Sequence, residues 1–516
     1  MSISWSQRDI KKKAIKPYVN KACALRPILK QKEVSPKNAK LLQNEVSLGD
    51  FKQYEFGRGD YAVLDFGSHY VGYLTLHLDV QGGPADAPAF FKIKMCEHHR
   101  ELEEDSADYK GWLGKGWLQE EWFHIDEFPA VLRLPRRYAL RYLKFEMLDT
   151  SPNFRVMVNQ VILETVTSAP DTKIEPLNTN DTLLKKIDEV SIRTLRDCMQ
   201  DVFEDGPKRD RRIWLGDLRL QAMVNAVTFR NFNLVKRCLY LFAGLIRDDG
   251  VVGSCLYAEP RLIVDNIFLL DYSLFFVSTL LDYYHASGDV ETVRELVPTA
   301  VRQLDAAKEY LQPDGIVEPE GRYSCFIDWK EGLHKQAAMH GVWLYSLRCG
   351  EQLSRDLGEQ DLAERFALEY EQGKQAALQI LWDEDKKFFV SGVDSQISWA
   401  SQIWMCLAGA IEGQQAADLL KRTKQTEDIL GMVTPYLVHH YVEALMKCGQ
   451  QEQAIAEIKH YWGGMIEAGA DTFWELYNPE DPLESPYGSS MVNSYCHAWS
   501  CTPSYLLRRI YKSKTE

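Results

Sequence analysis

The spacing of apolar residues changes once along this chain, near residue 180, and the change separates two kinds of structure. Before that point, short runs of aromatic and β-branched residues punctuated by glycine are typical of antiparallel strands. After it, apolar residues recur every three to four positions, as they do on one face of an amphipathic helix. The sequence therefore predicts an α+β multidomain protein in which a β-rich domain precedes a helical one.

Residues 46–168 are predicted to form an antiparallel β-sandwich, because short strands alternate there with regular turn signals. Residues 1–45 are basic and favour helix, and they form a lead-in segment before it. The strands are predicted over residues 61–66, 70–80, 90–95, 117–125, 139–147 and 154–163.

Residues 169–181 are predicted to be a linker, since they contain Pro170, Pro176 and several residues that favour a helix N-cap. The helical domain then spans residues 182–516 and holds about a dozen helices. Helical hairpins joined by short loops close naturally into a double ring, whose inner loops form a funnel at one end. The predicted helices cover residues 183–199, 218–246, 266–285, 290–311, 335–353, 361–381, 397–410, 414–424, 435–448, 452–467 and a last segment through 511.

Composition excludes several classes of function. The net charge of −14, from 60 basic and 74 acidic residues, argues against nucleic acid as a partner. No apolar stretch is long enough for a membrane span, and the first 18 residues lack the apolar core of a secretory signal. The eleven cysteines are scattered without metal-type or disulfide-type spacing, which predicts a cytoplasmic protein. Neither a metal nor another cofactor is predicted, because there is no phosphate-binding loop and the adjacent His439 and His440 point apart on a helix.

The segment 204–217 packs acids and arginines around a Gly-Pro turn and a tryptophan. Gly206 and Pro207 end the preceding helical run, so the segment is predicted to be a loop. Such a loop can hold carboxylates at different pKa values or hydrogen-bond a polyhydroxylated ligand. The alternative is a self-neutralising surface loop. The charged and aromatic residues in question are Asp205, Lys208, Arg209, Asp210, Arg211, Arg212, Trp214 and Asp217.

Two later segments repeat this combination of an acid and a tryptophan. Asp328 and Trp329 precede the helix predicted near residue 335, where Asp328 could also be only a cap. Trp474 and Glu475 lie in a short loop-like segment, and His497 follows in residues 493–499. Flat, partly polar rings beside carboxylates suit the faces of sugars, although core packing is the usual fate of tryptophan.

These segments, taken in order, resemble the α-L-rhamnosidase family of inverting glycoside hydrolases. Residues 205–217 resemble its signature loop, and residues 326–329, 472–475 and His497 resemble its other active-site segments. Residues 63–67 and 137–145 resemble the β-sandwich that precedes its barrel. The resemblance covers most of residues 60–511 and implies a six-hairpin (α/α)6 barrel behind the sandwich.

The resemblance also implies roles for single residues. Asp210 is the general acid and Glu475 the general base that activates water. Asp205 and Asp217 grip sugar hydroxyls, and Trp329 and Trp474 form walls that face the sugar. The further substrate-binding residues are Arg209, Trp214, Asp328 and His497.

Two departures from the family pattern bear on these roles. The family's general acid is a glutamate at position 210 or the next, where this chain has Asp210 and Arg211, and the signature cysteine is Gly206. Aspartate is one methylene shorter, so either the backbone moves inward or the leaving-group geometry differs. Arg209 and Arg211 would lower the pKa of Asp210, which opposes its role as an acid unless they point away.

The predicted function is the release of terminal α-L-rhamnose from a glycoside or a small oligosaccharide by inverting acid/base hydrolysis. Inversion requires a protonated acid at the leaving oxygen and an ionised base that holds water on the opposite face. Two alternatives remain open at this point: a hydrolase or lyase for a different sugar on the same barrel, and a non-catalytic carbohydrate-binding relative.

Overall fold

The computed structural model describes residues 11–318, 325–482 and 484–512. The lead-in expected over residues 1–45 divides into two parts, and its first ten residues lie outside the described ranges. Strand β1 (Lys12–Ala14) and helix α1 (Lys16–Ala24) pack on the helical domain, where β1 pairs with residues 245–247. Residues 30–46 instead pair with the β domain, so the sandwich begins earlier than the predicted residue 46.

The β domain is a network of nine antiparallel strands with one short helix, α2 (Leu48–Gln53). The strands are β2 (Lys30–Val34), β3 (Asn38–Leu41), β4 (Asn44–Val46), β5 (Tyr61–Gly82), β6 (Ala89–Cys96), β7 (Glu120–Ile125), β8 (Ala130–Arg133), β9 (Tyr138–Asp149) and β10 (Phe154–Thr167).

Strand β5 joins the two layers of the sandwich. Its first half pairs with β3 and β9, and its second half pairs with β10 and β8. The register shifts between Asp65 and Tyr70, where an irregularity lets the strand bend from one layer into the other. Two of the predicted strands are thus one long bent strand. Apolar side chains from both layers, such as Phe91 and Phe145, fill the core between them.

The helical domain contains twelve helices within the described residues. They are α3 (Thr182–Cys198), α4 (Leu215–Val227), α5 (Phe232–Gly244), α6 (Leu270–Ser287), α7 (Val290–Ala307), α8 (Gln336–Leu357), α9 (Gln360–Ala376), α10 (Trp399–Ala408), α11 (Gly413–Gln425), α12 (Pro435–Lys447), α13 (Gln451–Glu467) and α14 (Pro503–Lys512).

The even-numbered helices from α4 to α14 contact one another in sequence and close a ring, because α14 packs on α4. The odd-numbered helices from α3 to α13 form the outer layer. This is the predicted (α/α)6 barrel behind a β-sandwich, and the fold class is confirmed. The single helix predicted over 218–246 is two helices, since Arg230 takes a left-handed backbone conformation (φ 55°) and Asn231 caps α5.

Among the described residues, the barrel carries seven short strands. Three of them, β11, β13 and β14, form a small sheet, and α4 follows directly after β11. They are β11 (Ile213–Trp214), β12 (Leu245–Arg247), β13 (Cys255–Tyr257), β14 (Ile263–Val264), β15 (Trp382–Asp383), β16 (Phe388–Ser391) and β17 (Gln396–Ile397). In the part of the chain that is described, no helix combines the length and apolarity that crossing a bilayer requires.

Candidate active site

The N-termini of the inner helices bring the predicted segments together at one end of the barrel. Asp217 lies in the first turn of α4, residues 326–329 precede α8, and His497 lies in the loop before α14. Helix N-termini carry a partial positive charge, which favours carboxylates there. The barrel topology therefore collects acids that are far apart in sequence.

The β-sandwich holds the 204–217 loop from one side. The Lys208 ammonium lies between two buried carboxylates of the sandwich, 2.9 Å from Glu101 Oε2 and 3.3 Å from Glu97 Oε2. Arg137, at the start of β9, donates to Glu204 Oε2 at 2.7 Å. These charges are buried in ion pairs, so the loop is fixed by both domains rather than solvated at the surface.

Gly206 explains one departure from the family pattern. A Cβ atom at this position would lie 2.2 Å from the carbonyl oxygen of Arg209, a distance that real Cβ contacts do not show. The loop therefore folds back on itself more tightly than a cysteine at 206 would allow. The tight turn brings the backbone of residues 209 and 210 over Asp205, whose carboxylate accepts from the Asp210 amide at 3.2 Å.

Asp205 is a buried carboxyl at the centre of the loop. Its Oδ1 accepts from the Arg212 amide at 3.0 Å. Burial raises the pKa of Asp205 to about 7, with the charge of nearby Asp210 as the second cause. A carboxyl with this pKa holds a proton in mildly acidic solution, where an ordinary aspartate does not.

Arg209 joins the two predicted catalytic residues. Its Nη1 donates to Asp210 Oδ1 at 3.1 Å, and its Nη2 donates to Glu475 Oε2. Arg211 points away, since its guanidinium donates to the carbonyls of Pro207 and Arg137. Of the two arginines beside Asp210 in sequence, only Arg209 reaches its carboxylate. One guanidinium therefore contacts both acids.

Glu475 is the more deeply held of the two acids. Its Oε1 accepts from the Tyr487 hydroxyl at 2.7 Å, and its backbone carbonyl accepts from the Trp499 indole at 3.0 Å. Burial raises the pKa of Glu475 above its usual value, and the charge of Arg209 opposes that rise. Asp210 is more open, with a side chain that is 20% exposed. The buried carboxylate of Glu475 and the partly exposed one of Asp210 thus contact the same guanidinium.

Asp217 and His497 present polar atoms that have no hydrogen-bond partner among the described residues. Asp217 Oδ1 and His497 Nδ1 are both buried and lie 3.6 Å apart. Burial, and then the charge of Asp205, raises the pKa of Asp217 well above its usual value. Burial and Arg209 hold the pKa of His497 well below its usual value, so the imidazole is neutral. Buried polar atoms normally have partners, and the hydroxyls of a sugar would supply them here.

The aromatic wall of the cleft differs from the predicted one. Trp329 lies beside Trp499 and Tyr487, with ring centroids 5.2 and 6.4 Å away. Trp474 does not face the carboxylates: it is buried against His98, Tyr477 and Tyr495 where the sandwich meets the barrel. Trp499 lies nearer the cleft than Trp474, because its ring is 4.5 Å from that of His497, at a tilt of 45°.

Asp328 and Trp214, both predicted to bind substrate, have well-defined contacts within the protein. The Asp328 carboxylate accepts from the amides of Val433 and Thr434 and from the Thr434 hydroxyl, at 2.9, 3.1 and 2.7 Å. It therefore caps the start of α12, a different helix from the one it precedes. Trp214 is the N-cap residue of α4 and contacts the Tyr272 ring edge to face at 6.2 Å.

Sequence reasoning missed Tyr487 and Trp499, which line the cleft, and Asp271, which supports it from behind. Asp271 accepts from the amides of Phe326 and Ile327 and so fixes the loop that carries Trp329. Trp499 could have been identified from the sequence, because it stands two residues after His497. Tyr487 and Asp271 lie in segments that the sequence does not single out, and only the fold brings them to the site.

Within the described residues, one group has the spacing of metal ligands: His439, His440 and Glu443. Both nitrogens of His440 have other contacts, the Tyr436 carbonyl at 2.7 Å and Arg219 Nη1 at 3.0 Å. Arg219 Nη2 also lies 3.6 Å from Glu443. A guanidinium in this position repels a cation, so the group does not suit a metal.

The chain matches two family models in succession. Residues 30–165 match the model described as the glycosyl hydrolase family 78 alpha-rhamnosidase N-terminal domain. Residues 173–510 match the model described as the bacterial alpha-L-rhamnosidase 6 hairpin glycosidase domain. No match was found among curated protein sequences.

Several solved structures are similar over most of the chain. A rhamnosidase from Klebsiella oxytoca with rhamnose bound is 44% identical, with 97% of this chain and 99% of that chain covered and a TM-score of 0.93. The family 78 rhamnosidase of Bacillus sp. GL1 is 22% identical, covers 88% of this chain and 46% of that chain, and has a TM-score of 0.73. An alpha-L-rhamnosidase from Streptomyces avermitilis complexed with L-rhamnose is 16% identical, with 93% and 44% covered and a TM-score of 0.67. The last two show the fold alone.

Proposed function

The chain belongs to glycosyl hydrolase family 78, the α-L-rhamnosidases, and from this we propose that it releases terminal α-L-rhamnose by inverting hydrolysis. The substrate is a small rhamnoside, either a glycoside or an oligosaccharide. One observation carries the assignment of roles: a single guanidinium, Arg209, joins a buried carboxylate to a more exposed one.

Glu475 is the proposed general base. The Arg209 charge favours its ionised form, and the Tyr487 hydroxyl orients one of its oxygens. An ionised carboxylate can accept a proton from water as that water attacks the anomeric carbon. Buried at the closed end of the cleft, Glu475 suits the face opposite the leaving group.

Asp210 is the proposed general acid, which gives its proton to the glycosidic oxygen as the bond breaks. Arg209 contacts its carboxylate, so Asp210 must take up that proton against an adjacent positive charge. Its carboxylate is the more exposed of the two, as the departure of a leaving group towards solvent requires. Inverting enzymes hold the two carboxyl groups roughly 6.5 to 9.5 Å apart, which leaves room for a water. The Arg209 guanidinium contacts both Asp210 and Glu475. The tight turn at Gly206 brings the backbone of Asp210 inward over Asp205, in keeping with the shorter side chain.

Asp205, Asp217 and His497 are the proposed ligands of the rhamnose hydroxyls. Asp217 and His497 have unpartnered buried atoms, and His497 Nε2 lies 3.8 Å from Glu475 and 3.9 Å from Asp205. The neutral imidazole can donate to one hydroxyl and accept from another. Trp329 and Trp499 supply the apolar wall, and Asp328 is better described as a residue that positions Trp329.

Incubation of purified protein with 4-nitrophenyl α-L-rhamnoside tests this function. Proton NMR should show β-L-rhamnose as the first anomer formed, because water attacks directly and no covalent intermediate intervenes. Initial release of the α anomer would contradict inversion. A carbohydrate-binding relative without activity would release no rhamnose at all, although the presence of both carboxylates argues against it.

The compartment in which the enzyme acts is also a proposal. Nine of its eleven cysteines are buried thiols, and they are scattered through both cores. This usage supports a reducing cytoplasm. Fractionation of the source cells with activity measurements would test it.

A further inference from the structure

A loop of the β-sandwich reaches across to the mouth of the barrel. Residues 103–118, between β6 and β7, pack on the segment that carries Tyr487. Glu104 anchors the loop, since its carboxylate accepts from the Ser489 hydroxyl at 2.5 Å and from the Ser490 amide at 2.8 Å. The sandwich thus contributes directly to the rim of the cleft.

This loop places an exposed tryptophan at the end of a row of aromatic rings. The row runs from Trp499 through Trp329 and Tyr487 to Trp112, with successive ring centroids 5.2, 6.4 and 5.7 Å apart. Trp499 is 4% exposed, whereas Trp112 is 71% exposed. The row therefore leads from the buried carboxylates to solvent. A large exposed aromatic that continues a cleft often marks a binding surface.

The backbone beside Trp112 is closely held. A Cβ atom at Gly111 would lie 2.4 Å from the Tyr487 carbonyl oxygen and 2.4 Å from the Tyr109 hydroxyl oxygen. The loop approaches Tyr487 so closely that only glycine fits at position 111. Trp112 is consequently presented from a fixed backbone.

The position of the row relative to the acids identifies what it would contact. The sugar end of the cleft is closed by Asp217, His497 and Glu475, which are all buried. The Arg209 guanidinium lies over the Tyr487 ring at 4.3 Å and also donates to Asp210, the proposed acid. A group that leaves from Asp210 towards solvent passes along the Tyr487 side of the cleft.

We infer that Trp112 forms part of a leaving-group subsite, where it stacks on a flat aromatic aglycone such as a phenolic ring system. This inference rests on the proposed function, because it assumes that rhamnose occupies the buried end. Stacking on an exposed ring favours planar apolar groups over small aliphatic ones. The β-sandwich would then select the leaving group, while the barrel selects the sugar.

Binding of two thioglycosides that resist hydrolysis tests the inference on the full chain. Titration calorimetry would compare phenyl 1-thio-α-L-rhamnoside with methyl 1-thio-α-L-rhamnoside. Trp112→Ala should weaken binding of the phenyl ligand roughly 3- to 10-fold and leave the methyl ligand within about 2-fold. Trp112→Phe should keep most of the phenyl preference. Trp122, which lies on β7 and is 51% exposed, supplies the control, because Trp122→Ala should change the affinity for neither ligand.

Equal weakening of both ligands in Trp112→Ala, or no weakening of either, would overturn the inference. So would a change of oligomeric state in sedimentation without a change in the ligand ratio, because Trp112 would then contact a second copy of the chain. The proposed function is judged separately, by whether the wild-type protein releases rhamnose. The binding ratio needs no turnover.

Discussion

Arg209 and Glu475 form an ion pair at the closed end of the cleft, where both side chains are almost wholly buried. Burial alone would raise the pKa of Glu475 and leave a protonated acid that cannot activate water. The arginine opposes that effect and so limits the rise in the pKa of Glu475. With Glu475 as the proposed general base, this ion pair would set the lower pH limit of activity.

Removal of the positive charge should shift that limit upward. In Arg209→Gln the pKa of Glu475 should rise further, because burial is no longer opposed by an adjacent cation. A base works only when deprotonated, so the acidic limb of kcat/KM against pH should move up by about 1 to 3 pH units. Tyr487→Phe is the matched control: it removes a neutral hydrogen bond to the same carboxylate and should move the limb less, in the same direction. An unchanged limb in Arg209→Gln would assign it to another group.

Asp210 and Glu475 should be distinguishable by leaving group. Asp210→Ala should damage turnover of a rhamnoside with a basic alkoxide leaving group far more than that of a nitrophenyl rhamnoside, which needs little protonation. Glu475→Ala should damage both alike, since water must be activated in either case. Losses on the order of 10² to 10⁴ in rate are expected where the missing group is needed.

The ratio of the two rates for each variant is the measurement. If Asp210→Ala lowered the rate equally on both substrates, Asp210 would be a binding residue. Asp205 would then be the next candidate for the proton donor, because its pKa of about 7 lets it carry a proton. Asp328 is a weaker candidate, because its carboxylate oxygens already accept hydrogen bonds from the Val433 amide and the Thr434 hydroxyl.

Asp328 and Asp217 should respond differently to the same neutral substitution. Asp328→Asn leaves buried donors of Val433 or Thr434 without a full partner, and should lower the free energy of unfolding by about 1 to 3 kcal/mol. Asp217→Asn removes an acid whose Oδ1 has no partner among the described residues. It should therefore leave the free energy of unfolding unchanged and weaken sugar binding. Urea unfolding and KM for an aryl rhamnoside, measured on both variants, check this. Loss of stability in Asp217→Asn alone would contradict the proposed roles.

Limited proteolysis should cut first between residues 170 and 176, where the linker is most exposed. The two fragments should nevertheless elute together in size-exclusion chromatography, because buried ion pairs such as Lys208 with Glu101 cross the domain boundary. A barrel fragment beginning near residue 180 should therefore be compact while its partner is bound. Initial cutting within 264–460 would count against this division of the chain.

The fold could be predicted largely from periodicity, because both helices and strands bury one face. The spacing of apolar residues predicts eleven helical segments close to the observed helices, and only the segment 218–246 is split in two, at Arg230. There a single left-handed residue breaks a helix in a segment whose apolar pattern continues through it. The basic, helix-favouring composition of residues 1–45 predicts a lead-in segment, yet backbone pairing with β5 and β10 makes strands of residues 30–34 and 38–41. Edge pairing leaves little trace in composition.

The site was predictable where a role depends on a local segment, and less so where it depends on neighbours. Asp205, Asp210 and Asp217 share one loop, so their proximity follows from sequence. Trp474 and Trp499 carry equivalent sequence signals, but the sandwich lies behind Trp474 and buries it. Which of two tryptophans faces the cleft is decided by the position of the other domain, and no local pattern encodes that position.

The ion pairs of Lys208 with Glu97 and Glu101 constrain how such two-domain proteins can evolve. A barrel separated from its sandwich would lose both counterions of Lys208, which lies in the loop that bears Asp205 and Asp210. Removing one side of a buried ion pair is strongly destabilising. Recombination between distant relatives should therefore preserve the two domains as one inherited unit, and a chimera would need matching charges at all three positions before its barrel could act.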